Sequence, residues 1–206
     1  YDVRLSRSTV VPYLQRIEKM LSGMLVRKPV RLDDVSDLVR EQLFDVDLEG
    51  NDLNVWLYQT ARQAISFGHV GVLVDAPKEG DKTRPYWVTY TPKDILGWRS
   101  EIVDGSRQLT QLRLMEQVVE PDGKYGDKII KQIRVLERGR YEIHRKDDKK
   151  NEYRLFDEGE MSLKDKIPFA VAYSNRVGYY ESRSPLYDIA ELNLKHYQIQ
   201  SDLDNI

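Results

Sequence analysis

The sequence contains no cysteine and only three histidines among its 206 residues. The absence of cysteine excludes disulfide bonds, thiolate metal sites and cysteine nucleophiles, and it fits a cytosolic origin. His69, His144 and His196 lie far apart in sequence, and none of them belongs to an HxxxH or HExxH motif. We therefore expect no metal site, and no residue pattern points to a cofactor.

Neither sign of charge is in large excess, and long hydrophobic runs are missing. The 32 basic and 34 acidic residues leave a formal net charge of −2, whereas a module that grips DNA or a membrane surface is typically basic. No apolar run approaches the roughly 18 residues that a membrane span needs. With 40% hydrophobic and 32% charged residues, the composition is that of an ordinary globular protein with a well-charged surface.

Motifs of nucleotide-binding proteins and acyl hydrolases are also missing, because GxxxxGK[ST], GxGxxG and GxSxG do not occur. A metal-dependent nuclease, which gathers carboxylates around Mg²⁺, is the remote enzyme alternative. Asp75 follows an apolar strand, and residues 92–94 could begin a PD…ExK pattern, but no later glutamate is followed by x-Lys. We interpret Asp75 and Asp94 as turn or cap residues.

The first third of the chain has helical patterns. Residues 10–25 have an apolar residue at helical spacing on one face, at Leu14, Ile17, Leu21 and Leu25. Residues 52–67 follow the helical spacing closely, with Asn51 or Asp52 as the cap and Gly68 placed to end the helix in a left-handed conformation. The intervening "VRKPVR" is basic, and we interpret it as cover for a helix end, with contact to nucleic acid or an acidic partner as the alternative.

Strand patterns occupy the middle of the chain. The buried run "VGVLVD" comes first, followed by "YWVTYTP", "QLTQLRLMEQVVE", "KIIKQIRVLERGRYEIHRK", "YRLF" and "IPFAVAYSN". Helices, then an antiparallel meander, then a final helix predict an α+β fold with a mainly antiparallel sheet. We expect the helical part at about 1–67, the sheet at about 70–175 and the last helix at about 184–206.

The final stretch reads "SPLYDIAELNLKHYQIQSDLDNI", with Ser184 expected as the N-cap and Pro185 in the first helical position. No stop signal follows, and Ile206 is a bare apolar end. The chain also begins at Tyr1 rather than Met. We therefore expect this sequence to be a piece of a longer protein.

Tyrosine is unusually frequent, with thirteen Tyr and three Trp against four Phe. Tyr and Trp combine a flat apolar body with one polar group, which suits protein interfaces. The candidate interface residues lie in the segment before the last helix and in that helix. They are Tyr179, Tyr180, Tyr187, His196 and Tyr197.

In order and spacing, four segments resemble portal proteins of tailed bacteriophages, in particular a portal-like family once catalogued as a phage-related domain of unknown function. They are the helix end that runs into a strand at 68–75, the P-x-x-I-x-x-W element at 92–98, the "IP" of 167–169, and the "S-P-L" helix that ends in "S-D-x-x-N" at 184–205. Each segment is weakly specific alone, and the match extends over nearly the whole chain.

The resemblance implies a single portal wing-like domain over residues 1–206, cut before the stem, in a structural protein without catalytic residues. Portals are rings of about twelve subunits at one capsid vertex. Their partners are the terminase, the major capsid or scaffold protein, and the head-completion adaptor, and double-stranded DNA passes through the channel. The resemblance assigns no DNA contact to this piece and no membrane association. It implies assembly in the host cytoplasm and a final location in the virion.

Two alternatives remain open besides this one. The chain could be an interaction domain of another phage or prophage head-morphogenesis protein, an adaptor or a minor head protein, and the metal-dependent nuclease is the remote choice. Because ring closure in the resembling family relies partly on segments missing here, we expect this piece alone to be monomeric or weakly associated.

Overall fold

The computed structural model describes residues 10–75, 84–147 and 152–204; Tyr1 and Ile206 lie outside them. It confirms the α+β prediction, with mainly antiparallel sheets and four helices among the described residues. The helices are α1 (Tyr13–Leu25), α2 (Asp37–Gln42), α3 (Leu53–Phe67) and α4 (Tyr187–Leu203). The strands are β1 (His69–Asp75), β2 (Tyr86–Tyr90), β3 (Ile95–Val103), β4 (Ser106–Asp122), β5 (Gly126–Glu137), β6 (Arg140–Asp147), β7 (Glu152–Glu160), β8 (Phe169–Tyr173), β9 (Arg176–Gly178) and β10 (Glu181–Ser182).

Helix α3 has the boundaries that its sequence predicts. The Asp52 side chain accepts hydrogen bonds from the backbone N–H groups of Asn54 and Val55, at 2.8 and 2.9 Å, and so caps the first turn. Gly68 has φ +92° and ends the helix, a conformation that costs a residue with a Cβ more than it costs glycine. Both end signals act locally, which is why the sequence reveals them.

Helix α1 begins after Pro12 and ends at Leu25. Leu14, Ile17 and Leu21 are partly buried, but Leu25, the fourth residue of the predicted apolar face, is 68% exposed. The buried position in the last turns is instead Ser22, whose hydroxyl donates to the carbonyl of Glu18 at 2.7 Å. The predicted face is therefore wrong at its C-terminal end.

The start of α4 differs from the sequence-based prediction. Ser184 is not the N-cap: the helix begins at Tyr187, and its N-cap Leu186 has no side-chain cap. The Ser184 hydroxyl donates instead to the carbonyl of Ile65 at 3.0 Å and accepts from the N–H of Leu186 at 3.1 Å. The hydroxyl that the local pattern predicts to cap α4 is therefore bonded to a carbonyl distant in sequence.

The strands form three sheets. The largest is an antiparallel meander of five strands in the order β3-β4-β5-β6-β7, and β2-β1-β8 and β10-β9 form two smaller sheets. In the meander, Leu112 of β4 lies opposite Leu136 of β5, and both are almost completely buried. The sequence places β9 and β10 in a loop, since runs of two and three residues are too short to carry a period.

The chain divides into two compact units. Unit 1 contains the described residues of Tyr1–Val70, Ala76–Thr89 and Val171–Ile206, and unit 2 those of Gly71–Asp75 and Tyr90–Ala170. Unit 1 therefore combines the N-terminal helices with the C-terminal one, a grouping that differs from the predicted division in chain order. Such pairing of distant segments depends on tertiary contacts that local patterns do not encode.

Each unit has its own core. In unit 1, α3 contributes Trp56, Thr60, Ala64 and Ile65, and the Trp56 ring packs edge-on against Trp87 at 4.8 Å between centroids. In unit 2, Leu73, Leu112 and Leu114 are at most 1% exposed. Within the described parts of the chain, no helix combines the length and the apolar character that crossing a membrane requires.

Candidate interaction surface

The tyrosine-rich segment before α4 is fixed by one buried ring. Tyr179 and Tyr180 contact each other with ring centroids 4.7 Å apart. Tyr180 is buried, has φ +60° and donates its backbone N–H to the Tyr173 hydroxyl at 2.9 Å. Burial raises the pKa of the Tyr180 phenol. Tyr180 is therefore an anchor of the segment, and of the pair Tyr179 is the more accessible ring.

Tyr187 lies at the first position of α4 and is 48% exposed. The guanidinium of Arg183 lies 4.8 Å from the centre of its ring, a cation–π contact. A hydrogen bond with Glu191, one turn along the helix, raises the pKa of Tyr187. The ring is thus presented at the surface with a positive and a negative neighbour.

His196 and Tyr197 lie further along the same helix. His196 is exposed, and its ring meets the edge of Tyr13 on α1 at 5.7 Å and 85°. Tyr197 is half-buried. The five predicted interface residues therefore form two groups within unit 1, one at the turn before α4 and one on the helix itself.

Helix α4 leaves most of its apolar side chains in contact with solvent. Five of them are between 48% and 65% exposed: Tyr187, Leu192, Leu194, Ile199 and Leu203. Leu192, Ile199 and Leu203, spaced at i, i+7 and i+11, share one face, which we name the α4 stripe. Exposed apolar side chains that share one face of a helix are typical of interaction sites.

A second apolar feature of unit 1 is a groove of about 330 Å³ beside α3, which we name the α3 groove. Leu57, Thr60 and Ala61 of α3 line it, together with the 25–30 segment and residues 172–174. Thr60 is 6% exposed, and its hydroxyl has no hydrogen-bond partner among the described residues. Buried hydroxyls are normally paired, so the groove contains an unused polar group.

The C-terminal end of α3 is held by serine hydroxyls from the segment between β8 and α4. Ser174 donates its hydroxyl to the carbonyls of Ala64 and Gly68, at 2.6 and 3.1 Å, and Ser184 donates to Ile65. The last carbonyls of a helix lack partners within the helix. Ser184 supplies a donor to the Ile65 carbonyl, and Ser174 adds a hydroxyl donor to two carbonyls that also accept from backbone N–H groups. We name this set of contacts the serine clamp; the sequence does not predict it.

His69 lies next to the clamp. Its Nδ1 is 2.6 Å from the Ser182 hydroxyl, and its ring contacts Tyr173 at 5.7 Å between centroids. His69 is 6% exposed, and burial lowers its pKa. These contacts indicate that His69 has a structural role in unit 1, packed between Ser182 and Tyr173.

Unit 2 contains a buried polar network on the inner face of the large sheet. Glu116 shares that face with Leu112 and Leu114, since alternate residues of a strand point the same way. The Tyr90 hydroxyl donates to Glu116 at 2.6 Å, and the Gln132 amide donates to its other oxygen at 2.8 Å. The carboxylate is therefore fixed from two directions.

Arg134 joins this network to Asp75. Its guanidinium lies 2.7 Å from the Asp75 carboxylate and 2.9 Å from that of Glu116. Burial acts to lower the pKa of Arg134, but the two carboxylates outweigh it and raise that pKa. Burial, reinforced by Glu116, raises the pKa of Tyr90. The charged guanidinium of Arg134 therefore contacts both carboxylates, and the neutral phenol of Tyr90 donates a hydrogen bond to one of them, Glu116.

The two aspartates of the nuclease alternative are engaged separately. Asp75 pairs with Arg134, while the Asp94 carboxylate accepts hydrogen bonds from the backbone N–H and the hydroxyl of Thr91, at 3.1 and 2.6 Å. Asp94 thus forms the turn that the sequence predicts for it. In the residues that the structure describes, no three His, Cys, Asp or Glu side chains are grouped so that they could hold a metal ion.

An acidic loop before α3 has a comparable local role. Asp45 accepts from the N–H of Gly50 at 2.8 Å, and Asp47 accepts from the N–H of Glu49 and from the Asn51 amide. Its carboxylates bind the loop's own donors, which explains the acidic composition as turn chemistry.

Neither a protein-family model nor a curated protein matches this sequence. The fold and the exposed surfaces define an α+β protein with two apolar features on unit 1, the α4 stripe and the α3 groove. The buried polar groups belong to networks that stabilise the fold, and the exposed apolar groups are the candidates for interaction.

Proposed function

We propose that this chain is part of the subunit of a bacteriophage portal ring, the conduit for DNA at one capsid vertex and the docking platform for terminase and head-completion proteins. The observation that carries the proposal is the ordered set of portal-like segments along the chain, ending in the "S-P-L" element before α4. The exposed apolar side chains of α4 support it, because a ring subunit must present surface to its neighbours.

The near-neutral net charge of −2 is compatible with this role. A wing segment faces protein neighbours, whereas a groove that tracks DNA is basic. In this proposal the chain contributes no catalytic residue, needs no cofactor, and acts in the virion after assembly in the host cytoplasm.

Negative-stain electron microscopy with mass determination of the full-length gene product tests the proposal. We expect rings with a central channel and about twelve subunits. A discrete monomer or dimer across protein concentrations would refute the portal role and favour an adaptor or a minor head protein.

The nuclease alternative can be tested in the same preparation. Asp75→Asn and Asp94→Asn variants would lose a divalent-metal-dependent cleavage activity if the alternative held. We expect no such activity in the wild type, and the aspartate contacts described above give both residues a role in the fold instead.

A further inference from the structure

We propose that the α4 stripe of one copy docks in the α3 groove of a second copy, so that unit 1 carries both halves of a head-to-tail contact. The inference deepens the portal proposal and rests on it for the choice of a second copy as the occupant. Its first support is that, among the residues that the structure describes, stripe and groove are both open to solvent, so that neither covers the other within one chain.

Both features are apolar. The stripe presents three apolar side chains on one face of a 17-residue helix, and an amphipathic helix enters an apolar groove with its apolar face. The α3 groove, at about 330 Å³, is at the small end of the range for ligand pockets. A groove of this size suits a few apolar side chains delivered by a helix.

Charge complementarity selects the acidic α4 as the occupant. Helix α4 and its C-cap carry four carboxylates and one lysine: Asp188, Glu191, Asp202, Asp204 and Lys195. The groove is lined on one side by Val26, Lys28 and Val30. Arg27 and Arg31 adjoin these residues in sequence, and both are exposed, as is Lys28. A basic segment on one side of an apolar groove attracts an acidic helix and helps to orient it.

Because stripe and groove are different surfaces, the contact is heterologous, and such contacts close into rings when the rotation between copies allows it.

A mixing experiment with two complementary variants tests the contact. The stripe variant is Leu192→Asp with Ile199→Asp, and the groove variant is Ala61→Glu, which adds bulk and a negative charge at a half-buried position. Sedimentation velocity is recorded for each chain alone and for the mixture. Ile102→Asp, at a 69% exposed position of unit 2, is the matched control, and circular dichroism verifies that every variant folds.

We expect the wild-type chain to self-associate weakly, with a dissociation constant on the order of 100 μM. Each variant should weaken that association at least tenfold, whereas the Ile102→Asp control should leave it unchanged. The mixture should form a one-to-one complex, because the stripe variant retains an intact groove and the groove variant an intact stripe. The complex should weaken severalfold as NaCl rises from 0.05 to 0.5 M.

Two results would overturn the inference. A wild-type chain that stays monomeric up to about 1 mM would mean that a second copy does not occupy the groove. A groove variant that associates as strongly as the wild type, while the stripe variant does not, would indicate a symmetric contact between two α4 helices. Microscopy of the full-length product separates this inference from the portal proposal. If the full-length stripe and groove variants still form rings, the proposed contact is refuted and the portal role is not. If the head-to-tail complex forms but the full-length product makes no rings, the portal role is refuted and the contact is not.

Discussion

Arg134, whose side chain is 19% exposed, makes the sharpest prediction about stability. Replacing it by methionine keeps much of the apolar stem of the side chain and removes the charge that Asp75 and Glu116 share. The two carboxylate side chains are 18% and 11% exposed, so water can solvate them only in part. The variant leaves two negative groups on the inner face of the sheet with no cation between them.

The expected loss follows from this geometry. Removing one partner of a buried ion pair lowers the free energy of unfolding by about 3–5 kcal/mol. Because water still reaches the two carboxylates in part, we expect a loss at the low end of this range, about 3 kcal/mol, for Arg134→Met. For a chain of this length, that corresponds to a melting temperature lower by roughly 6–12 °C. Arg134→Lys should lose about half as much, since an ammonium group cannot reproduce the two-sided contact of a guanidinium.

Urea unfolding followed by circular dichroism and tryptophan fluorescence measures the effect. Trp98 lies in unit 2, whereas Trp56 and Trp87 lie in unit 1, so fluorescence reports on both. Arg140→Met is the matched control on the same sheet: its side chain is 59% exposed and pairs with Glu137 at the surface. Its loss should not exceed about 1 kcal/mol.

Equal losses for Arg134→Met and Arg140→Met at neutral pH would refute the reasoning, because the network would then contribute no more than a surface ion pair.

Three further predictions concern the junction that follows α3. Gly68→Ala should lower the free energy of unfolding in urea by about 2–4 kcal/mol, because φ is +92° and a Cβ would lie 2.5 Å from the Ser182 hydroxyl. Gly105→Ala is the control: φ is +72° but the surrounding space is open, so the loss should be about 1–2 kcal/mol. Equal losses would contradict the crowding at Gly68. Ser174→Ala should lose about 0.5–1.5 kcal/mol, because the carbonyls of Ala64 and Gly68 lose a hydroxyl donor but keep their backbone donors; an unchanged unfolding midpoint would contradict this. Burial lowers the pKa of His69 below its ordinary 6.5, so the stability that the neutral ring confers is complete above pH 6.5 and is lost as the pH falls through the lowered pKa. His69→Asn should flatten this decline in melting curves between pH 7 and 5.5, and an unaltered slope would exclude His69 as its source.

Signals that act within a few residues predicted the fold correctly. The Asp52 cap, the apolar spacing of α3 and the glycine after it define one helix, and the β-branched run after it defines the buried strand β1. Strands β4 to β7 of the meander were predicted because they alternate, and the turns from β4 to β5 and from β5 to β6 contain glycine; no strand was predicted for β3. Each of these preferences is a property of the local backbone and needs no knowledge of tertiary contacts.

The sequence-based predictions are wrong or silent where a residue bonds to a partner that is distant in sequence. Ser184 looks like an N-cap, but a carbonyl 119 residues away takes its hydroxyl. Glu116 and Arg134 look like ordinary polar residues of alternating strands, and only the register reveals that they share the face of the buried leucines. The predicted interface tyrosines were found by composition, which cannot separate the buried Tyr180 from the exposed Tyr187.

The serine clamp has a consequence for the order in which the chain folds during synthesis. All strands of the large sheet have been made once residue 160 has left the ribosome, whereas the carbonyl of Ile65 waits for Ser184, 119 residues later. At about 5–20 residues per second, that interval is roughly 6–24 s. During this time the end of α3 lacks its final hydrogen-bond donors. Unit 2 is therefore the first to have its parts complete, and unit 1 matures only when the last helix arrives.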